Sequence, residues 1–184
     1  MKKIELQLAM DGAATRTLDQ AMEIIDRVAP YLDIIEIGTS FVLRYGMEPV
    51  SRVKAAHPDK KILADMKVMD GGYHNCGLGC KAGGDIVTVL GVSDHGTIQN
   101  ATKAAHDYGK QIMVDLICVK DVAETIAFCE EIGTDYICVH TGVDMQAQGK
   151  DPLDALKEAL ALVKNCKVSV AGGINEDTIE GICR

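Results

Sequence analysis

Tryptophan is absent from this chain, and phenylalanine occurs only twice. Any core therefore has to be built from Val, Ile, Leu, Ala and Met. Long apolar runs are missing as well. The longest stretch free of Asp, Glu, Lys and Arg is Gly71 to Cys80, far short of the ~20 residues that cross a bilayer as a helix. Lys2-Lys3-Ile4 resembles the opening of a signal peptide, but Glu5 and Asp11 interrupt the apolar region that should follow. A cytoplasmic location with no membrane partner is expected. Basic runs are also lacking. With 19 Lys+Arg against 27 Asp+Glu and a net charge of −8, the chain is a poor partner for nucleic acid. The balance does not exclude phosphorylated small molecules, which a backbone pocket can hold locally. No CxxC pair occurs among the seven cysteines, so a zinc site is not expected and the thiols read as reduced core residues.

What is present is ordinary globular composition, 47% hydrophobic and 25% charged over 184 residues. That suggests one domain spanning 1–184. Short apolar runs recur at Leu6–Asp11, Asp33–Gly38, Lys61–Lys67, Asp85–Gly91, Gln111–Cys118, Tyr136–Gly142 and Lys167–Ile174. Runs such as IVTVLG and IMVDLI are near-continuously apolar, as strands buried on both faces are. Helical patterns lie between them, among them TLDQAMEIIDRVAPYL, TIQNATKAAHDYG and DVAETIAFCEEIG. The last should stop at Gly133, and Asp151-Pro152 should open the helix after the sixth strand. Alternating β and α implies parallel strands joined by right-handed crossovers. Uniform units with polar residues at many strand ends favour a (β/α)8 TIM barrel over a doubly wound open sheet. Seven units are legible, and an eighth strand and helix are not within the 184 residues.

In a parallel barrel the chemistry gathers at the C-terminal strand ends. Asp11, Glu36, Asp65, Lys67, Asp115 and His140 fall there. Asp65 and Lys67 are two apart and should share one face of a strand. Glu36 interrupts an apolar strand and needs a cation; a Glu and an Asp converging suit Mg²⁺, a hard ion. Plainer readings stand beside these. Asp11 or Asp70 could cap a helix, Asp115 could merely neutralise Lys67, and His140 could be a hydrogen-bonded core residue. Asp85 opens its strand at the opposite end and reads as structural. Gly172-Gly173 could bring backbone close to a phosphate or form a plain turn.

The pattern Asp65-x-Lys67-x-x-Asp70 resembles the signature of the orotidine 5′-phosphate decarboxylase superfamily. Segments in order resemble its 3-hexulose-6-phosphate synthase branch: LQLAMD at 6–11, IEIGTSFVLRYG at 35–46, KILADMKVMDGG at 61–72, DIVTVLGV at 85–92, MVDLICVKD at 113–121, VHTGVDMQAQGK at 139–150 and VAGGIN at 170–175. The resemblance implies a (β/α)8 barrel, normally a homodimer with shared sites. It implies Mg²⁺ held by Glu36 and Asp65, Lys67 stabilising negative charge, and Asp70 reaching the neighbouring subunit's site. It also implies Asp11 on substrate hydroxyls, His140 in proton transfer, and Gly172 and Gly173 at a phosphate. The implied reaction is aldol addition of formaldehyde to D-ribulose 5-phosphate through a metal-stabilised enediolate, with a hexulose-phosphate isomerase as a possible partner. A related 3-keto-L-gulonate-6-phosphate decarboxylase would carry Arg where this chain has Val143. An inactive partial barrel that binds a sugar phosphate is a third reading. The segment after Asp70, GGYHNCGLGC, is richer in glycine and cysteine than that branch's helix is expected to be; two readings stand, a loosely packed helix or a variant subgroup.

Overall fold

The computed structural model describes residues 4–12, 17–142 and 152–183. Seven strands form one parallel sheet in chain order: β1 (Gln7–Met10), β2 (Ile34–Ile37), β3 (Lys61–Val68), β4 (Ile86–Leu90), β5 (Gln111–Asp115), β6 (Tyr136–His140) and β7 (Lys167–Ala171). The expected seven units are all there. The sheet is curled as in a barrel, and among the described residues β1 and β7 each pair on one side only.

Strand parity sorts the side chains into two cores. Outward residues such as Ile35, Ile62, Val87, Ile112 and Ile137 pack against the helices. Inward residues Ile34, Leu63, Ile86, Met113, Tyr136 and Cys138 form a separate cluster inside the curl. Burial on both faces explains why the strands read as continuous apolar runs.

The helices are α1 (Leu18–Val28), α2 (Thr39–Tyr45), α3 (Glu48–Ala56), α4 (Gly72–Lys81), α5 (His95–Asp107), α6 (Val122–Ile132), α7 (Pro152–Leu162) and α8 (Ile179–Ile182). Two helices, not one, join β2 to β3. None of the described helices is long and apolar enough to cross a membrane. Thr17 caps α1 by accepting from the Gln20 amide, and α4 begins at Gly71 in the left-handed region. Neither Asp11 nor Asp70 is therefore a helix cap. Left-handed Gly133 ends α6, as its sequence predicts, and Asp121 caps the start. The expected cap Asp151 lies outside the described residues.

The glycine-rich helix α4 is a correction to expectation. It packs closely, with Cys76 and Gly72 buried. A side chain at Gly72 would run into the Thr97 carbonyl oxygen of α5, so the missing Cβ permits the approach.

At the N-terminal end of the sheet one device recurs. Asp33, Asp85 and Asp135 each stand just before an even-numbered strand. Each carboxylate accepts from an amide at the start of the preceding strand: Leu6, Ile62 and Ile112, all at 3.0 Å. These bonds satisfy strand-end donors and fix the register of neighbouring strands. Asp85 also holds Lys54 and Lys110, each at 2.8 Å, which makes it the structural residue its position suggests.

Candidate active site

The C-terminal end of β3 is irregular. Ala64 pairs with Val87 and Val68 with Val89, so Asp65, Met66 and Lys67 oppose Thr88 alone. Lys67 takes a φ of +44°, a left-handed conformation that costs a non-glycine residue on the order of 1 kcal/mol or more. The bulge, rather than simple strand alternation, turns Asp65 and Lys67 toward one another.

Around this bulge the polar side chains interlock. Lys67 Nζ lies 2.6 Å from Asp65 Oδ2 and 3.4 Å from Asp115 Oδ2. Asp65 also accepts from Thr39 Oγ1 at 2.7 Å and Thr88 Oγ1 at 2.9 Å. Asp115 lies 2.7 Å from His140 Nδ1 and accepts from the Ile117 amide at 2.9 Å. Asp65 and Asp115 are buried, at 6% and 3% exposed. Burial opposes the charge of Asp115, but His140, the Ile117 amide and Lys67 outweigh it and hold its pKa below the ordinary value. An ionised carboxylate only accepts, so Nδ1 of His140 carries the proton. In the neutral ring, Nε2 is then left as the acceptor. Burial also works against the Lys67 ammonium; Asp65 and Asp115 overcome it and raise its pKa.

Glu36 sits beside this network and accepts from Gln7 Nε2 at 2.6 Å. Burial, then the neighbouring charge of Asp65, pushes its pKa up to about 7. Burial first, and a second carboxylate nearby, leave Glu36 short of positive charge. Among the described residues no cluster of three or more His, Cys, Asp or Glu is arranged for a metal. Two carboxylates nevertheless fit Mg²⁺, which takes one or two of them and completes its shell with water and substrate oxygen. Glu36 and Asp65 are the residues that could hold it.

Asp11 borders the same end of the sheet. Its Oδ1 accepts from Ser40 Oγ at 3.2 Å, and a side chain at Gly38 would collide with the Asp11 carboxylate. Gly172 and Gly173 directly follow β7, whose Ala171 pairs with His140. Their φ values of 86° and 74° turn the chain where a side chain would be strained. Asp70 stands apart. It is exposed in the loop after β3, where its carboxylate accepts from the Gly71 amide at 2.6 Å. Val143 lies outside the described residues.

The sequence reading joined Glu36, Asp65, Lys67, Asp70 and His140; the structure brings four of them together and leaves Asp70 outside. It placed Asp115 at a strand end beside Lys67 without giving it a role toward His140, and it missed Gln7, Thr39 and Thr88. Thr88 carried the same signal as Glu36, a single polar residue inside an apolar strand, whereas Gln7 opens its strand and carried a weaker one. Thr39 follows a strand end and carried none.

Residues 5–184 match the model of the orotidine 5′-phosphate decarboxylase / HUMPS family. The chain belongs to this family. A 3-hexulose-6-phosphate synthase of Staphylococcus haemolyticus is 42% identical over 179 residues, which cover 97% of this chain and 84% of that protein. The crystal structure of 3-hexulose-6-phosphate synthase from Salmonella typhimurium aligns with a TM-score of 0.92 at 44% identity, covering 97% of this chain and 83% of that one. A 3-keto-L-gulonate-6-phosphate decarboxylase from Vibrio cholerae aligns with a TM-score of 0.85 at 27% identity, over 97% and 83% of the two chains. The resemblance to the synthase branch is borne out by these relatives, and the seven parallel strands of the curled sheet are arranged as in the family's TIM-barrel fold.

Proposed function

We propose that this chain is a lyase that adds formaldehyde to D-ribulose 5-phosphate to give a hexulose 6-phosphate, and reverses that addition. The observation that carries the reading is the bulge of β3. It sets Lys67 against Asp65 within a shared network that ends on His140. The higher identity to synthases than to the decarboxylase, 44% against 27%, supports the aldol reaction over loss of CO₂.

Each step has a residue suited to it. His140 Nε2 takes the C1 proton of the ketose, and Asp115 steadies the imidazolium through Nδ1. Negative charge develops on the substrate oxygens beside the Lys67 ammonium, a pre-placed cation in a buried setting. The C1 carbon then forms its bond to formaldehyde, and the new alkoxide recovers a proton. A Mg²⁺ held by Glu36 and Asp65 would supply Lewis acidity and orient the two oxygens. Asp11 suits a substrate hydroxyl, and the turned backbone of Gly172-Gly173 suits close approach of the phosphate. Asp70, exposed and outside the network, is read as serving the site of a second copy in a homodimer. Formaldehyde consumption with ribulose 5-phosphate tests the reading. Mg²⁺-dependent loss of one formaldehyde per hexulose 6-phosphate formed is expected; a folded protein with no turnover overturns it.

A further inference from the structure

Thr88 is the residue on which the irregularity of β3 closes. It is 3% exposed and stands alone opposite Asp65, Met66 and Lys67. Its hydroxyl oxygen accepts from the Lys67 amide at 2.9 Å, and the same hydroxyl donates to Asp65 Oδ1 at 2.9 Å. The Lys67 amide lies within the register shift between β3 and β4, and a partly buried amide needs an acceptor. The Thr88 oxygen is that acceptor. Because the oxygen accepts from the amide, its proton is free to go to Asp65. A single hydroxyl thus fixes both the backbone that aims the lysine and the carboxylate that the lysine touches.

We propose that Thr88 is a positioning residue: its hydroxyl holds the left-handed bulge at Lys67 and orients Asp65 toward the reacting centre. The proposal rests on the functional reading above for the claim that this geometry serves turnover. A hydroxyl at this position is needed, and a methyl of the same shape cannot replace it. Thr39 grips the other oxygen, Asp65 Oδ2, at 2.7 Å, but it has no contact with the Lys67 amide. Among the described residues, Thr88 is the one whose side chain joins the Lys67 amide to the Asp65 carboxylate.

The test compares Thr88→Val, which keeps the shape and removes the hydroxyl, with Thr88→Ser, which keeps the hydroxyl. Formaldehyde consumption should show kcat about 100-fold lower in the valine variant with KM for ribulose 5-phosphate little changed, as misplacement by about 1 Å costs. The serine variant should recover to within several-fold of the parent. Equal kcat in the valine variant and the parent overturns the proposal, as does a serine variant as impaired as the valine. Hydrogen exchange of the Lys67 amide, read on the metal-free protein, decides the matter apart from activity. Protection in the parent and Thr88→Ser but not in Thr88→Val supports the proposal; equal protection in all three overturns it. A parent protein without synthase activity would sink the functional reading, and the exchange result would still decide whether Thr88 holds the bulge.

Discussion

At the N-terminal end of the sheet, Asp85 meets two ammonium groups, Lys54 and Lys110, and the Ile62 amide. At the C-terminal end, Lys67 is divided between Asp65 and Asp115, while Glu36 is hydrogen-bonded by the neutral Gln7. The same residue types are present in both places, but the charge is matched in one and acid-rich in the other. The consequence appears in the protonation equilibria. Asp85 is held below its ordinary value; burial works against it, but Lys110, Lys54 and the Ile62 amide prevail. Glu36 is driven up to about 7 by burial and Asp65. A carboxylate completed by its own chain stabilises the fold. One left incomplete is available to a cation and a substrate, at a cost that the rest of the fold has to carry.

Substitutions at the two ends should therefore differ in what they do to activity. The largest expected effect is Lys67→Ala. Removing the cation at the developing oxyanion should lower kcat by about 10³-fold, and the thermal midpoint should fall as well, because the buried carboxylates of Asp65 and Asp115 lose their ammonium. A variant that melts lower but keeps its turnover would instead place Lys67 with the structural residues. His140→Gln comes next, with kcat expected to fall by about 10²- to 10³-fold in the same formaldehyde assay. Normal turnover in that variant would remove His140 from proton transfer.

The fold was readable because its signal is repeated: each unit presents an apolar run and then a helical pattern, and Gly133 and Asp121 mark a helix end and start as their types require. The site was readable where a charge broke an apolar run, as Glu36 does, or where spacing matched a known pattern, as Asp65, Lys67 and Asp70 do. What stayed hidden was geometry that only pairing creates. Nothing in ADMKV announces that three residues will oppose one, or that Lys67 will turn left-handed. The role of Asp115 depends on His140 from the adjacent strand, 25 residues away in sequence. The tight packing of α4 was missed for the opposite reason: glycine reads as looseness along a chain but permits contact across one.

At the other end, Asp85→Asn should leave kcat within about twofold while destabilising the fold. Lys54 and Lys110 would lose their shared carboxylate, and the loss should be about 2 kcal/mol. That corresponds to a drop of roughly 5 °C in Tm for a chain of this size. A drop in kcat without a shift in Tm would contradict the division between the two ends.

The smallest effect belongs to Glu130, which serves the entry to β7. Its carboxylate accepts from the amides of Lys164, Asn165 and Cys166 at 2.9 to 3.0 Å, and from Asn165 Nδ2 at 2.8 Å. Burial opposes the charge, but these donors hold the pKa at about 2 against an ordinary 4.5. Depression in the folded state fixes the sign: the stabilisation is fully present above about pH 4.5 and is lost as pH falls toward 2. Glu130→Gln should therefore cost about 1 kcal/mol at pH 7 and less at pH 3, so the melting curves of variant and parent should converge on acidification. The group is close to solvent, which keeps the effect small. A difference in Tm that stays constant from pH 7 to pH 3 would show that Glu130 acts through its shape rather than its charge. It would then no longer belong with Asp85 as a carboxylate that stabilises by being fully matched.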